Sequence, residues 1–266
     1  MSQLKLYSGN DIPFPEARLS VHQPTIREIA WIGEQRFFAG CEILNFSKDK
    51  FLNEKDKLNS INQTNFDVFI VMMKTDNPQM KKYKNCAKMV LSLLFPNCTV
   101  TFADQEIILK EEDEVHYIDN KNFEKFKFII SKIFCTQNRA GSSQDYNPQG
   151  DQAKRIAEQL RKGREKAAAQ KGGGNNKISI FAKYISVLST GQNISVQELL
   201  DYTVFQLYDA FHRFNLKQNF DSYVQQCLAG AKDVKKVDYW MEDIDLDKIN
   251  KEENSIWNLV VVKYVT

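Results

Sequence analysis

A polar, glycine-broken stretch in the middle of the chain constrains the fold more than any other feature. Residues 136–150 (TQNRAGSSQDYNPQG) contain Gly, Ser, Asn, Gln and Pro with one aromatic residue, and residues 171–177 (KGGGNNK) form a second such stretch. This composition is typical of loops and linkers, because it buries too little apolar surface to build a core. The sequence therefore predicts an N-terminal domain over 1–135, a linker over 136–177 and a C-terminal domain over 178–266.

The linker itself contains a predicted basic helix over 151–170, rich in Ala, Lys, Arg, Glu and Gln. Between residues 151 and 177, eight basic residues stand against three acidic ones, a net charge of +5 in a chain whose total is +2. A narrow apolar stripe follows helical spacing through Ala153, Ile156, Ala157 and Leu160. Its candidate partner-binding residues are Lys154, Arg155, Arg161, Lys162, Arg164 and Lys166.

A basic amphipathic helix on flexible ends suits three kinds of partner: an acidic protein surface, a nucleic-acid backbone or an anionic membrane. The stripe is thin, lacks Trp and Phe for a membrane interface, and is interrupted by Gly163. We favour a connector or protein-docking helix, place nucleic acid second, and expect no membrane partner.

The periodicity of the chain predicts an α+β fold that is mostly helical, with a small antiparallel sheet in the N-terminal half and a helical C-terminal domain. Predicted N-terminal elements are a strand over 18–22, helices over 25–44 (with Pro24 in the first turn), 65–74, 80–95 and 122–135, and strands over 98–102, 106–109 and 115–118. Predicted C-terminal helices cover 178–188, 195–200, 203–215 and 219–229, ended in two places by Gly191 and Gly230, and a strand-like segment covers 256–265. We expect Tyr239 and Trp240 to pack back as apolar anchors.

Cysteine usage and hydropathy predict a cytoplasmic protein. The five cysteines are widely spaced, without a C-x-x-C motif, which is typical of reduced thiols that mostly fill the core: Cys41, Cys86, Cys98, Cys135 and Cys227. The first residues have no apolar signal core. The most apolar runs, 89–95 and 259–262, are far shorter than a membrane span.

No template for catalysis, cofactor binding or metal binding fits. His22, His116 and His212 lie in three different predicted elements, and none is paired at the spacing of a zinc site. The glycines of residues 172–177 do not form a phosphate loop, because Lys177 is followed by Ile178 where Ser or Thr is required.

The sequence also does not fit a calcium-binding loop. Asp243, Asp245 and Asp247 have the required rhythm, but Lys248 takes the glycine position and Asn254 takes the place of the bidentate glutamate. We therefore expect no catalytic residue, no cofactor and no metal ion.

Three stretches together resemble proteins encoded among the tail genes of tailed bacteriophages. They are residues 20–38 (SVHQPTIREIAWIGEQRFF), 153–171 (AKRIAEQLRKGREKAAAQK) and 199–240, with YTVFQLYDAF and CLAGAKDVKKVDYW inside the last. The resemblance implies a role in tail or baseplate assembly, as a chaperone for the tape-measure protein or other tail components. It also implies the host cytoplasm, or the virion, as the location.

The preferred hypothesis is a non-enzymatic phage tail or baseplate assembly protein that acts by binding other tail or baseplate proteins. The first alternative is a nucleic-acid-binding protein that uses the basic linker helix. The second is an enzyme without a recognisable local motif.

Overall fold

The protein, seen as a computed structural model, has the mixed α+β, mostly helical fold that the sequence predicts. The structure describes residues 1–45, 47, 63–75, 78–136, 179–230, 237 and 239–241. The basic segment 151–170, nearly all of the predicted linker and the segment 256–265 lie outside the described residues, so the predicted division into domains stays a prediction.

The chain begins with a short helix and a two-stranded sheet. Helix α1 covers Gln3–Tyr7, and strands β1 (Ile12–Phe14) and β2 (Leu19–Val21) pair antiparallel with Phe14 opposite Leu19. A 3-10 turn over Pro15–Ala17 joins the two strands. The strand predicted over 18–22 is thereby confirmed.

The long helix predicted over 25–44 is wrong, because two helices occupy this stretch. Helix α2 covers Ile26–Ile32 and helix α3 covers Glu34–Leu44. Gly33 separates them with a φ of 87°, a value that interrupts a helix and favours glycine. Thr25 caps α2 in a reciprocal capping box with Glu28, so Pro24 precedes the helix and does not lie in its first turn.

Two further helices follow, as predicted. Helix α4 covers Asn65–Lys74 and helix α5 covers Pro78–Leu94. Helices α3 and α5 approach so closely at Gly40 that an added Cβ atom would lie 2.5 Å from the carbonyl oxygen of Cys86.

The three predicted strands form an antiparallel sheet in the order β3-β4-β5. Strand β3 covers Thr99–Phe102, β4 covers Glu106–Glu111 and β5 covers Glu114–Asp119. Helix α6 (Phe123–Ile133) follows, as the helical periodicity predicts. Buried Val100, Ile107, Leu109 and Ile118 alternate along these strands, so one face of the sheet lies on the core.

The C-terminal part contains helices α7 (Ile180–Gln192), α8 (Val196–Leu200) and α9 (Val204–Leu228). Gly191 lies inside α7, so the prediction that it ends the helix is wrong; the left-handed Asn193 ends it. Gly230, with a φ of 76°, does follow α9 as predicted.

The prediction of separate helices over 203–215 and 219–229 is also wrong. The sequence between them, LKQ, contains neither Pro nor Gly, so nothing interrupts the backbone hydrogen bonds of α9. An ion pair between Lys217 and Asp221, 3.4 Å apart, spans the expected break.

The helices on both sides of the predicted linker share one apolar core. Phe37 of α3 packs against Phe181 of α7 with ring centroids 6.1 Å apart. The backbone N–H of Ile26 donates to the carbonyl of Tyr202 at 2.9 Å. Arg27 Nε lies 2.7 Å from Asp201 Oδ1. The two parts of the chain are therefore in contact.

Candidate interaction surface

Helix α9 has two halves with different surroundings. In the first half, both Leu207 and Tyr208 are almost completely buried, as are Phe205 and Phe211. From Lys217 onwards the helix is largely exposed to solvent. A helix of 25 residues is about 37 Å long, so the second half extends the apolar sequence well past the core.

Apolar side chains form a stripe along the exposed half. We call this stripe the distal surface of α9; its residues are Phe220, Tyr223, Val224, Cys227 and Leu228. They recur three and four residues apart and so lie on one side of the helix. Leu228 is 83% exposed and Val224 is 36% exposed. The described protein leaves this stripe only partly covered.

Residues 239–241 pack back on the same half of α9, as the sequence predicts. The ring of Tyr239 meets that of Phe220 edge-on, with centroids 5.2 Å apart. Arg213 Nη1 donates to the carbonyl oxygen of Trp240 at 3.5 Å. Met241 remains 56% exposed beside this contact. The returning chain thus adds exposed apolar area next to the distal surface.

A polar cluster fixes the root of the exposed half to α1. The Tyr7 hydroxyl hydrogen-bonds with Asp209, whose carboxylate lies 4.0 Å from Arg213 Nε. Burial and the neighbouring Asp209 carboxylate raise the pKa of Tyr7 to about 12. The Tyr7 ring also meets Phe205 edge-on at 5.0 Å. These contacts hold α9 in a defined direction.

The three histidines lie far apart in the chain and serve separate local structures. His22 lies between two carboxylates, with Nδ1 2.9 Å from Asp11 and Nε2 3.4 Å from Glu28. His116 Nδ1 lies 3.1 Å from the carbonyl oxygen of Ala17. Buried His212 packs against Phe211. Among the described residues, no group of three or more His, Cys, Asp or Glu side chains is arranged to hold a metal ion.

None of the five cysteines, all of which lie among the described residues, forms a disulfide bond. Cys41, Cys86 and Cys135 are buried and Cys98 is half-buried, whereas Cys227 is exposed on the distal surface. Burial raises the pKa of the Cys86 thiol, which keeps it protonated and unreactive.

Several residues that we singled out in the sequence lie outside the part of the chain that the structure describes. Lys154, Arg155, Arg161, Lys162, Arg164 and Lys166 lie outside it, as do the aspartates of the calcium-like segment and the glycines of residues 172–174. In the part of the chain that is described, no helix is both long enough and apolar enough to cross a membrane.

The aromatic residues of the C-terminal helices are typical first of all of a core, and a share of them also suits a partner groove: Phe205, Tyr208, Phe211, Phe214, Phe220 and Tyr223. Sequence does not separate these two uses, whereas the structure separates them along α9. Buried side chains surround the helix near Tyr208, whereas beyond Lys217 the apolar residues follow a single stripe. The change from apolar residues around the helix to apolar residues on one side is the sequence signal that distinguishes the two halves of α9.

Helices α7 to α9 and residues 239–241 lie within a segment that matches a family model. Residues 175–245 match the family model described as YomV second domain, a phage-derived domain family. No curated protein matches the chain. No solved structure matches it either. The chain therefore contains a segment similar to a phage domain, and this segment includes the whole distal surface.

Proposed function

We propose that this is a non-enzymatic phage protein that binds another phage protein, from the tail or baseplate, through the distal surface of α9. The observation that carries the proposal is the exposure of an apolar stripe, with Leu228 83% exposed, inside the segment that matches a phage domain family. Apolar patches left exposed on a folded protein are typical of protein-binding sites.

The chemistry of the surface favours a protein partner. Across residues 214–230 the only charged side chains are Lys217 and Asp221, which pair with each other. Nucleic-acid binding requires several cationic groups to neutralise phosphates, and this half of α9 does not provide them. A neutral apolar stripe instead fits the apolar face of another helix.

An assembly chaperone is the form of this function that we favour. Tail components with long amphipathic helices need an apolar surface to cover their apolar faces before assembly. Helix α9 provides such a surface, and its contacts at Tyr7 and Asp209 keep that surface in a fixed direction. The tape-measure protein is a partner of this kind. Nucleic-acid binding through residues 151–170 is the competing function, and it predicts a different outcome in the experiment below.

The proposal is tested by photo-cross-linking in cells that produce the phage. A photoreactive residue replaces Leu228 in one variant and Val71 in a control. Val71 is also apolar and is 58% exposed, but it lies on α4. We expect a tail or baseplate protein to cross-link from position 228 and not from position 71. Equal cross-linking from both positions, or cross-linking from 228 to nucleic acid alone, contradicts the proposal.

A further inference from the structure

The three-stranded sheet has a second face that no described helix covers. Its central cross-strand row is Thr101, Ile108 and Tyr117, and the next row is Thr99, Lys110 and Val115. We call these six residues the outer sheet face. Tyr117 is 44% exposed and Val115 is 42% exposed, whereas the opposite face of the sheet is buried.

This sheet is strongly acidic. Residues 99–119 contain seven Asp and Glu residues and one Lys, a net charge of −6 in a chain of net charge +2. Glu106 stands directly opposite Asp119, and Glu111 stands directly opposite Glu114. Like charges directly opposite each other on neighbouring strands are unfavourable.

Some of these carboxylates are engaged locally. Asp104 forms an ion pair with Lys74, Asp119 Oδ1 accepts backbone hydrogen bonds from Lys121 and Asn122, and Glu114 lies 3.5 Å from His116. The turn residues Glu112 and Asp113 are exposed at the tip of the β4–β5 hairpin. A cationic partner would relieve the repulsion that remains.

The edge of β5 is poorly suited to pairing with another strand. Asn122 Nδ2 donates to the carbonyl of Tyr117 at 3.0 Å, and Asn122 Oδ1 accepts from the backbone N–H of Asp119 at 2.9 Å. These bonds occupy the groups that an added strand would need. We therefore infer that a partner on this side of the sheet lies across the outer sheet face and does not extend the sheet at β5.

We propose that the outer sheet face binds the chain's own basic segment, residues 151–170. This segment contains six basic and three acidic residues, a net charge of +3, opposite in sign to that of the sheet. Its apolar stripe from Ala153 to Leu160 would extend about 10 Å along a helix. Along β4, the outer sheet face runs from Ile108 to the turn at Glu112, about 13 Å.

The connections on both sides of the segment are long. The segment is joined to Thr136 by residues 137–150 and to Ser179 by residues 171–178. Extended chain spans about 3.4 Å per residue, so these connections reach about 50 Å and 30 Å. Thr136 is fixed beside Asn45 at the end of α3, and Ile180 is fixed beside Glu34 at its start.

With the segment lying along the strands and Leu160 nearer the hairpin tip, the contact would place Arg161, Lys162 and Arg164 near the acidic turn at Glu112 and Asp113. These cations would then be engaged within the protein and would not be available to phosphates. The proposal goes beyond the function of α9, since it concerns a different surface and a different occupant.

Hydrogen–deuterium exchange of the full chain tests it, read on peptides that cover residues 151–170. Two variants alter the outer sheet face and its turn, Tyr117→Ser and Asp113→Lys. Two matched controls alter exposed residues elsewhere: Phe128→Ser, 48% exposed on α6, and Glu198→Lys on α8. Far-UV circular dichroism checks that each variant is folded.

At low salt, about 50 mM, we expect residues 151–170 to be protected in the wild type and in both controls. Exchange there should be at least tenfold faster in Asp113→Lys and in Tyr117→Ser, and adding Arg161→Glu to Asp113→Lys should restore part of the protection. The proposal is overturned if residues 151–170 exchange at unstructured rates in the wild type, or if face and control variants behave alike. Cross-linking at position 228 is unaffected by either outcome, so this test and that of the proposed function fail separately.

Discussion

The carboxylate of Glu34 caps the first turn of α7: its Oε1 accepts the backbone N–H of Ile180 at 2.9 Å. The same oxygen accepts the N–H of Phe181 at 3.2 Å. Backbone N–H groups in the first turn of a helix have no partner within the helix, and a carboxylate there also favours the helix dipole. One side chain of α3 thus joins the segment that matches a phage domain to the rest of the protein.

Replacing Glu34 should weaken this junction. Glu34→Ala removes both hydrogen bonds, and we expect the free energy of unfolding to fall by about 1–2 kcal/mol, the usual cost of losing a helix cap. Denaturant unfolding measures it. Gln35→Ala is the control, because Gln35 is exposed in the same turn. Equal stability of the two variants would show that the cap does not hold the two parts together.

Gly40 should not tolerate a side chain. Alanine normally stabilises a helix relative to glycine, but the Cβ atom at position 40 would lie 2.5 Å from the backbone oxygen of Cys86, so α3 and α5 must separate. We expect Gly40→Ala to cost about 1–3 kcal/mol in thermal or denaturant unfolding.

Gly191→Ala is the comparison for that variant. Its Cβ atom would meet the ring of Phe214, which is only partly buried and can turn away. The cost there should be smaller than at Gly40. A stabilised Gly40→Ala protein would mean that α3 and α5 do not approach as closely as described.

Tyr7 should make stability depend on alkaline pH. Burial and Asp209 raise its pKa to about 12, above the value of 10.0 expected for an unfolded chain. The unfolded chain therefore releases the proton first, so the stability that Tyr7 contributes is complete below pH 10 and is lost as the pH rises towards 12. The difference in ultraviolet absorbance between wild type and Tyr7→Phe follows this titration directly.

The Asp209→Asn variant tests whether the Asp209 carboxylate helps to raise the pKa of Tyr7. It removes the negative charge next to Tyr7 and should lower the pKa of the Tyr7 hydroxyl from about 12, while burial, the largest cause of the shift, continues to raise it. An unchanged titration in Asp209→Asn would contradict the assigned contact at the root of α9.

Neutralising the basic segment should leave the fold intact. The fourfold variant Arg155→Gln, Arg161→Gln, Lys162→Gln and Arg164→Gln removes charges outside the shared apolar core. At about 0.5 M salt, where any contact of these charges with the sheet is screened, we expect the free energy of unfolding to change by less than about 0.5 kcal/mol. Circular dichroism and denaturant unfolding measure this. A protein that no longer folds would contradict the division into two parts and a linker.

Local patterns in the sequence predict most of the elements but not how they meet. Asn65–Lys74 follows from its helical period, and Thr64 with Asp67 forms its capping box. The break at Gly33 was missed, because a glycine within an apolar helical period gives no sign that its φ will be positive.

Contacts between distant parts of the chain could not be predicted from the sequence. Arg27 meets Asp201, and Glu34 meets Ile180, only after folding brings α2 and α3 against α7 and α8. The exposed fraction of each side chain could not be predicted from the sequence either. Phe211 and Leu228 belong to one helix and are both apolar, yet Phe211 is 5% exposed and Leu228 is 83% exposed. Packing against α1 and α7, and not residue type, decides which of them is free for a partner.

The affinity of the purified chain for the phage protein that cross-links at position 228 tests the central claim most directly. Leu228→Ser should weaken binding at least tenfold, about 1.4 kcal/mol, while the control Val71→Ser leaves it unchanged. The affinity should also vary little as salt rises from about 50 to 200 mM, because the distal surface is apolar. An affinity unaffected by Leu228→Ser, or one that falls by about a thousandfold or more over that salt range as phosphate binding does, would contradict it.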